Sequence, residues 1–338
     1  MKRYPTFHRQ QGFSLVEVLV GLVIGMIGMI VMLQVFSISE GTKRTTTGAD
    51  DAQTSGAIGM YSLQRDLRQS GYNFSTNQLI GCSLQLINGA LLPAIAPVLI
   101  NSPIVPAGDT GSDTLLVMVG NGIGPPQGDQ ITSHPSATNF LMANPALFRV
   151  NDYVVPGKAS HTSNCARQMD IVSSISGNSI YTQTGNTTVG ASDWVVNAGS
   201  SPVINAYAVR NNRLTVCNFM LVNCATAALN DSNWLPIADN VVALRAQYGK
   251  TTGTGLPVSS WDQVTPLSTD PLSSWKNVIG LRVVLVARSA QYEKTEVTTA
   301  APNWQASSTL PISLSAYADW KHYRYKTYET TVALRNNL

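Results

Sequence analysis

One short segment of the 338-residue chain contains two acidic side chains that could catalyse hydrolysis or bind a cation. The segment Asp109–Ser112, DTGS, matches the active-site fragment of aspartic proteases. That chemistry needs two carboxylates that share a proton, and the chain has no second such fragment. Asp109 and Asp113 could also bind calcium, but two acids do not reproduce the ligand spacing of a known calcium loop. A solvated turn is therefore predicted here, and no metal or cofactor is expected.

Two other motifs suggest chemistry that their surroundings do not support. Gly120–Gly124, GNGIG, follows a predicted strand as a dinucleotide loop would, but Pro125 and Pro126 prevent the helix that would hold a pyrophosphate. Lys321–Lys326, KHYRYK, mixes basic and aromatic residues as a nucleic-acid-binding strip would. Its alternation favours a strand with one packed face. No G-x-S-x-G or HExxH motif occurs, so neither an enzyme nor a nucleic-acid partner is expected.

Glu17 is the only charged residue in the 24-residue apolar run from Phe13 to Phe36. A helix over this run would be about 36 Å long, enough to cross a hydrocarbon core. An unpaired carboxylate there costs roughly 2.5–3.5 kcal/mol. Glu17 could be tolerated because it lies near the membrane interface. Alternatively, cleavage after Gly12 would give Phe13 a cationic amine, which could pair with Glu17 of the same chain or of a neighbouring subunit.

The charge distribution predicts which side of the membrane the chain occupies. Lys2, Arg3 and Arg9 precede Gly12, and the remaining chain carries 19 basic and 19 acidic residues. Positive charge before the apolar run places the N-terminus in the cytoplasm, and everything after about Ser37 lies on the far side. The neutral body offers no basic surface for duplex nucleic acid. An ordinary secretory signal peptide fits poorly because the run is too long and no convincing cleavage site follows it.

The N-terminal sequence resembles the type III signal of type IV prepilins, with GFSLVEVLVGLVIGMI at residues 12–27. In that family a prepilin peptidase cleaves after the glycine and methylates the new N-terminus. The resemblance implies a leader at residues 1–12, a scissile bond between Gly12 and Phe13, N-methylation of Phe13, and a role in assembly for Glu17. Many major pilins have a proline near the position of Gln34, but this chain has none between Phe13 and Leu92.

Three glycines punctuate the predicted membrane helix. Gly21 and Gly25 have the small-x-x-x-small spacing, and Gly28 lies on a nearby face. They could allow close packing against helices of a filament or of assembly partners. They could equally reflect the higher frequency of glycine in membrane helices.

Cys82, Cys165, Cys217 and Cys224 all follow the apolar run. They form no CxxC pair and have no histidine at ligand spacing, which disfavours zinc. Four cysteines behind a membrane-entry signal favour two disulfides in an oxidising compartment, whereas four reduced cysteines would fit a cytosolic domain. Of three possible pairings, Cys82–Cys165 with Cys217–Cys224 is preferred.

The expected fold is α+β, with an antiparallel sheet packed on a long N-terminal helix. One helix is predicted from Phe13 to Ser70, with residues 13–36 in the membrane and residues 37–70 as an amphipathic continuation. Apolar residues recur at three- and four-residue steps from Ala49 to Leu67, and Gly71 suits the position after the helix end. Helix weakening is expected at Thr45–Thr47.

A β-rich globular domain is predicted over residues 71–338. Residues 69–108 contain no charge and four prolines, which predicts a loop-rich segment. Asn211 and Asn212 suit a tight hairpin turn. Strands are predicted at Thr114–Val119, Met169–Ile175, Ser179–Gln183, Trp194–Val196, Val203–Val209, Val241–Tyr248, Val278–Arg288 and Tyr323–Leu334. In the last strand, Tyr323, Tyr325 and Thr327 are predicted on the packed face and Arg324, Lys326 and Tyr328 on the wet face.

Four segments resemble the larger minor pilins of the PilW type. They are SLQRDLRQSGYNF at the end of the predicted helix, and ADNVVALRAQYG, VIGLRVVLVARS and YRYKTYETTVALRNN near the C-terminus. The resemblance covers residues 11–74 and 238–338. It implies a minor pilin that primes or caps a type IV pilus. The expected partners are prepilin peptidase, other minor pilins, the major pilin, a large tip adhesin and the inner membrane.

Other functions would fit parts of the same pattern. A pseudopilin of type II secretion shares the N-terminus, and a static single-pass periplasmic scaffold shares the anchor. A membrane-tethered hydrolase lacks a supporting constellation. The expected location is the inner membrane with a periplasmic C-terminal domain before assembly, and the pilus after it.

Overall fold

The computed structural model describes residues 12–159, 165–226, 232–253, 255–266 and 271–334. It divides into two units, residues 1–48 and residues 49–338. Helix α1, Leu15–Gln69, contributes residues to both. A second, short helix, α2, spans Pro271–Lys276.

In the first unit, α1 begins at Leu15, two residues later than expected. The helix is continuous through Thr45–Thr47, where weakening is predicted. The hydroxyls of Thr42, Thr45 and Thr46 donate hydrogen bonds to the carbonyls of Ile38, Gly41 and Thr42, four residues earlier. Bonds of this kind compete with the backbone ladder and weaken a helix slightly, yet α1 continues through them.

In the second unit, one face of α1 is buried. The expected stripe is correct at Ala52, Met60, Leu63 and Leu67, but Ala49, Ala57 and Ile58 are exposed. Glycines replace them on the buried face. A β-carbon on Gly56 would lie 2.1 Å from the Tyr328 ring, and one on Gly59 would lie 3.2–3.3 Å from three core side chains. Glycine thus lets α1 approach the sheets closely.

The end of α1 is attached to the β-rich part of the chain. Gly71 has a φ of 85°, the left-handed conformation that follows many helix ends. Its N–H donates to the Met118 carbonyl, and the N–H of Gly120 donates to the Tyr72 carbonyl. These two bonds fix the chain reversal beside the strand that ends at Val119.

Eighteen strands occur in the described part of the chain. In the first half they are β1 (Ser83–Gln85), β2 (Leu91–Leu92), β3 (Val98–Ile100), β4 (Leu115–Val119), β5 (Asp129–Ser136), β6 (Asn139–Met142), β7 (Tyr153–Gly157), β8 (Ala166–Gln168) and β9 (Asp170–Ser176). The others are β10 (Ser179–Thr182), β11 (Trp194–Gly199), β12 (Val203–Arg210), β13 (Arg213–Asn218), β14 (Leu235–Asp239), β15 (Val241–Lys250), β16 (Ser260–Asp262), β17 (Val278–Arg288) and β18 (Tyr325–Ala333). All eight predicted strands appear, with ends shifted by up to three residues.

These strands form four sheets, and the predicted α+β fold, with a long N-terminal helix and antiparallel β-structure, is confirmed. A five-stranded sheet has the order β14-β13-β12-β4-β3, and a four-stranded sheet the order β16-β15-β17-β18. A third sheet, β2-β1-β8, contains the parallel pair β1–β8. The fourth is a closed barrel, β10-β6-β5-β11-β7-β9.

The barrel is an insertion in the five-stranded sheet. Strands β4 and β12 are antiparallel neighbours, yet the whole barrel lies between them in the chain. It encloses a separate core that includes Ile131, Phe140 and Val172. The main core joins α1 to the five- and four-stranded sheets and includes Leu63, Leu67, Leu244 and Leu285.

Two local predictions have opposite outcomes. The hairpin turn is confirmed, because Asn211 and Asn212 have φ values of 52° and 58° between β12 and β13. The assignment of Tyr328 to a wet face of the last strand is wrong. Its hydroxyl donates to the Gln53 carbonyl of α1 at 2.8 Å. The opposite face also packs, since Tyr325 lies against a cluster that contains Trp304 and Leu314.

Candidate processing and assembly site

Ser14 caps the N-terminus of α1. Its hydroxyl accepts a hydrogen bond from the N–H of Glu17 at 3.2 Å, and its carbonyl accepts one from Val18 at 3.2 Å. Serine is a favoured capping residue because its side chain satisfies a free N–H of the first turn. Glu17 thus lies in the first turn, where the helix dipole favours an acid.

The bond between Gly12 and Phe13 lies outside the helix, directly before its cap. Gly12 is exposed and the Phe13 side chain is 85% exposed. No salt bridge reaches the exposed Glu17 from any residue of the described ranges. An accessible bond outside the helix suits a peptidase, and an unpaired carboxylate one turn further on is available to another group.

The three glycines in the apolar part of α1 have no packing role within the described part of the chain. A β-carbon at Gly21, Gly25 or Gly28 would meet no atom within 4 Å. Both interpretations of these glycines therefore remain predictions.

The apolar run is unpartnered in the first unit. Every large apolar side chain from Phe13 to Ile38 is more than half exposed. In the described residues α1 is the one helix long and apolar enough to cross a membrane. Burial of such a surface requires a membrane or other helices.

Asp66 anchors α1 in the second unit, and the sequence patterns did not identify it. Its buried carboxylate accepts hydrogen bonds from the Tyr207 hydroxyl, from Asn205 at 3.2 Å and from Arg65 at 2.9 Å. Burial, followed by the nearby Asp66 charge, raises the pKa of Tyr207 well above its usual range. A carboxylate on the apolar stripe of a helix was the available signal, because such a group needs partners.

The aspartates that suggested hydrolysis or calcium binding are used in structural contacts. Asp109 accepts the N–H groups of Asn211 and Asn212 at 3.0 and 2.9 Å and so holds the hairpin turn. The carboxylate of Asp113 accepts a hydrogen bond from Arg245 at 2.9 Å. It also accepts hydrogen bonds from the side-chain amides of Asn101 and Gln263 and from the Ala246 N–H. In the described ranges no three His, Cys, Asp or Glu side chains form a metal-binding group.

The other two suggestive motifs also have structural surroundings. GNGIG carries the chain from the five-stranded sheet to the barrel, and its Asn121 N–H donates to the Ala198 carbonyl. No helix follows it before β5. In KHYRYK, the Tyr325 hydroxyl donates to the Trp320 carbonyl, and Arg324 pairs with Glu293.

The cysteines form the two disulfides that the sequence favoured. Cys82 bonds to Cys165, with a Cα–Cα distance of 4.7 Å, and Cys217 bonds to Cys224, with a distance of 6.0 Å. The first joins residues 83 apart and links the β1 region to the segment before β8. The second closes a short loop after β13.

Two family models match separate parts of the chain. Residues 7–33 match the prokaryotic N-terminal methylation motif. Residues 206–336 match the family of the type IV pilus-assembly protein W, PilW. The chain is a type IV pilin-like protein with a PilW domain. The PilW match begins within β12 and includes all of β18, whereas the inserted barrel lies outside both matched ranges.

No curated protein sequence matches the chain. It is similar to a type IV-like pilin from Thermus thermophilus at 12% identity, over 83% of this chain and 96% of that one, with a TM-score of 0.31. That score is too low for the likeness to bear on the fold.

Proposed function

We propose that this protein is a minor pilin of a type IV pilus, which primes or caps assembly as part of a minor-pilin complex at the tip. The observation that carries the proposal is the N-terminal arrangement. An exposed Gly12–Phe13 bond, a serine-capped helix, an unpaired Glu17 and an exposed apolar run coincide with a C-terminal PilW match. The size of the domain and its inserted barrel suit a specialised position better than a repeated one.

Processing creates the proposed partner of Glu17. Prepilin peptidase cleaves after Gly12 and methylates the amine of Phe13, which stays cationic. In a growing filament this amine pairs with Glu17 of the same chain or of a neighbouring subunit, and the pairing offsets the cost of a carboxylate in hydrocarbon. Before assembly, Phe13–Phe36 holds the protein in the inner membrane, with residues after about Ser37 in the periplasm.

The partners follow from this sequence of events. Prepilin peptidase acts first, other minor pilins and the major pilin pack against the apolar helix, and a large adhesin completes the tip. Gly21, Gly25 and Gly28 let those helices approach closely.

Deletion of the gene tests the proposed machine. Loss of piliation and twitching with normal secretion of type II substrates is expected. Loss of secretion with normal pili would instead identify a pseudopilin, and no change in either would favour a static scaffold.

Glu17 variants test the proposed mechanism. Glu17→Ala should be cleaved normally but incorporated poorly, while Glu17→Asp, which keeps the charge, should retain most incorporation. Normal incorporation of Glu17→Ala would show that the ion pair is dispensable.

A further inference from the structure

Strand β18 lies at the edge of the four-stranded sheet, where it pairs with β17 over nine residues. Two hydrogen bonds define the direction of its backbone groups. Leu334 donates to the Ile279 carbonyl, and Ser289 donates to the Arg324 carbonyl. Because backbone groups alternate along a strand, even-numbered residues face β17. The N–H and C=O groups of Thr327, Glu329, Thr331 and Ala333 therefore point away from the sheet.

This outer edge is open. Within the residues that the structure describes, no hydrogen bond reaches those outward backbone groups, and Glu329, Thr331 and Ala333 are exposed. Proteins usually protect such edges with proline, bulges or very short strands. β18 has no proline and no register shift. By contrast, edge strand β14 contains Pro236, and edge strands β3 and β16 have three residues each.

We propose that the outer edge of β18 accepts an extended strand from a different protein subunit of the pilus. Main-chain hydrogen bonds would provide affinity, and side chains on either side would provide specificity. The β-branched residues of β18, Thr327, Thr330, Thr331 and Val332, suit a strand in the middle of an enlarged sheet.

The charges beside the edge specify the chemistry of the incoming segment. Lys326 has the parity that places its side chain on the α1 side of the sheet, with Tyr328 and Thr330. Arg68 of α1 lines a cleft of about 350 Å³ with Thr331–Ala333. In the described ranges neither cation has a salt-bridge partner. The segment should therefore carry an acidic side chain on its α1-facing side.

The β18 edge of a second copy does not fit as the donor strand. Tyr328 bonds to Gln53, Thr330 bonds to Gln64, and Arg68 lies beside Thr331–Ala333, so α1 runs parallel to β18. Antiparallel pairing of two β18 edges through a two-fold axis would set the two α1 segments antiparallel. If this chain is a pilin, as proposed above, all its copies in one membrane or filament have the same polarity. The donor is therefore another subunit.

Amide hydrogen exchange with single-residue resolution tests this proposal. The full-length protein is measured alone in detergent micelles and again within tip complexes isolated from native pili. In the complex, the amides of Thr327, Glu329, Thr331 and Ala333 should exchange at least about tenfold more slowly than in the protein alone. Those of Tyr328, Thr330 and Val332 should be slow in both samples. Unchanged exchange at the odd-numbered amides in the complex would overturn the proposal.

Matched variants provide a second measurement. Thr331→Pro removes one outward N–H without touching the pairing with β17, whereas Thr331→Ser keeps it. Thr331→Pro should reduce incorporation into tip complexes about tenfold, with an unchanged melting temperature, and Thr331→Ser less than twofold. Arg68→Gln should also reduce incorporation, and Arg68→Lys should restore it. Equal incorporation of all four variants would overturn the proposal.

Methylation of Phe13 is measured in the same preparations. A methylated Phe13 together with unprotected odd-numbered amides would refute strand acceptance while leaving the proposed function standing. An unprocessed N-terminus would instead refute the proposed function.

Discussion

The hydroxyl of Tyr207 on β12 donates a hydrogen bond to the buried carboxylate of Asp66 on α1. This contact joins residues 141 positions apart and fixes the second half of the helix to the five-stranded sheet. Tyr207→Phe should lower the free energy of unfolding by about 1.5–3 kcal/mol, since a hydrogen bond to a charged group is lost. Denaturant unfolding of the full chain in detergent measures it. Tyr61→Phe, at a tyrosine whose side chain is 69% exposed, is the control and should be neutral.

Gly56→Ala tests the close approach of α1 to β18. Alanine normally stabilises a helix interior by about 1 kcal/mol relative to glycine. Here the added β-carbon would lie 2.1 Å from the Tyr328 ring, so the variant should be less stable than the wild type. Gly41→Ala, where a β-carbon meets nothing within 4 Å, should not destabilise. The double variant with Tyr328→Ala should remove the clash, and a stabilised Gly56→Ala would show that the ring moves aside freely.

The two disulfides should differ in their contribution to stability. In the chain-entropy model, cross-links separated by 83 and 7 residues contribute about 4.5 and about 2.4 kcal/mol. Replacing Cys82 and Cys165 by alanine should therefore cost more than replacing Cys217 and Cys224. Thermal unfolding of the two double variants makes the comparison, and the reverse order would contradict the assignment of the long cross-link as the stronger one.

Alkaline pH should destabilise the fold over a defined range. Burial raises the pKa of Tyr248 to about 12, from an unfolded value of 10.0. The unfolded chain loses this proton first, so the contribution to stability is complete below pH 10 and is lost as the pH rises towards 12. Burial also raises the pKa values of Tyr317 and Tyr325 to about 12. Tyrosinate absorbance should therefore show a late-titrating group, and complete titration near pH 10 in the folded protein would contradict this.

Asp113→Asn tests whether the acidic pair is structural. Arg245, whose side chain is 17% exposed, would lose its partner, and breaking a buried pair of this kind costs about 3–5 kcal/mol. Calcium or a chelator should leave the melting temperature of the wild-type chain unchanged. A calcium-dependent melting temperature that Asp113→Asn abolishes would restore the cation interpretation.

The sequence predicted the elements with strong periodicity and missed those with weak patterns. The apolar stripe of α1, the Asn211–Asn212 turn and the long strands β15 and β17 are clear because their patterns are local. β7 was missed because Pro156 argues against a strand. Pro156 lies beyond the residues of β7 that pair with β9, where β7 pairs with β11 alone. Proline is tolerated at such a position because no second neighbouring strand needs its missing N–H. The barrel was missed because closure depends on pairings between distant segments.

The residues of the candidate site also fall into those that the sequence predicts and those that it does not. Gly12, Phe13 and Glu17 form a short motif that is recognisable from residue types and spacing alone. The carboxylate of Asp66 on the apolar stripe of α1 signals a need for partners, but which residues supply them depends on tertiary contacts, as does the open edge of β18.

Mass spectrometry of the mature N-terminus tests the central claim most directly. The protein is purified from membranes of cells with active prepilin peptidase and from an isogenic strain that lacks it. An N-methylated Phe13 in the first strain and an intact leader in the second are predicted. An intact Met1 in the first strain would contradict the assignment of this chain as a processed pilin.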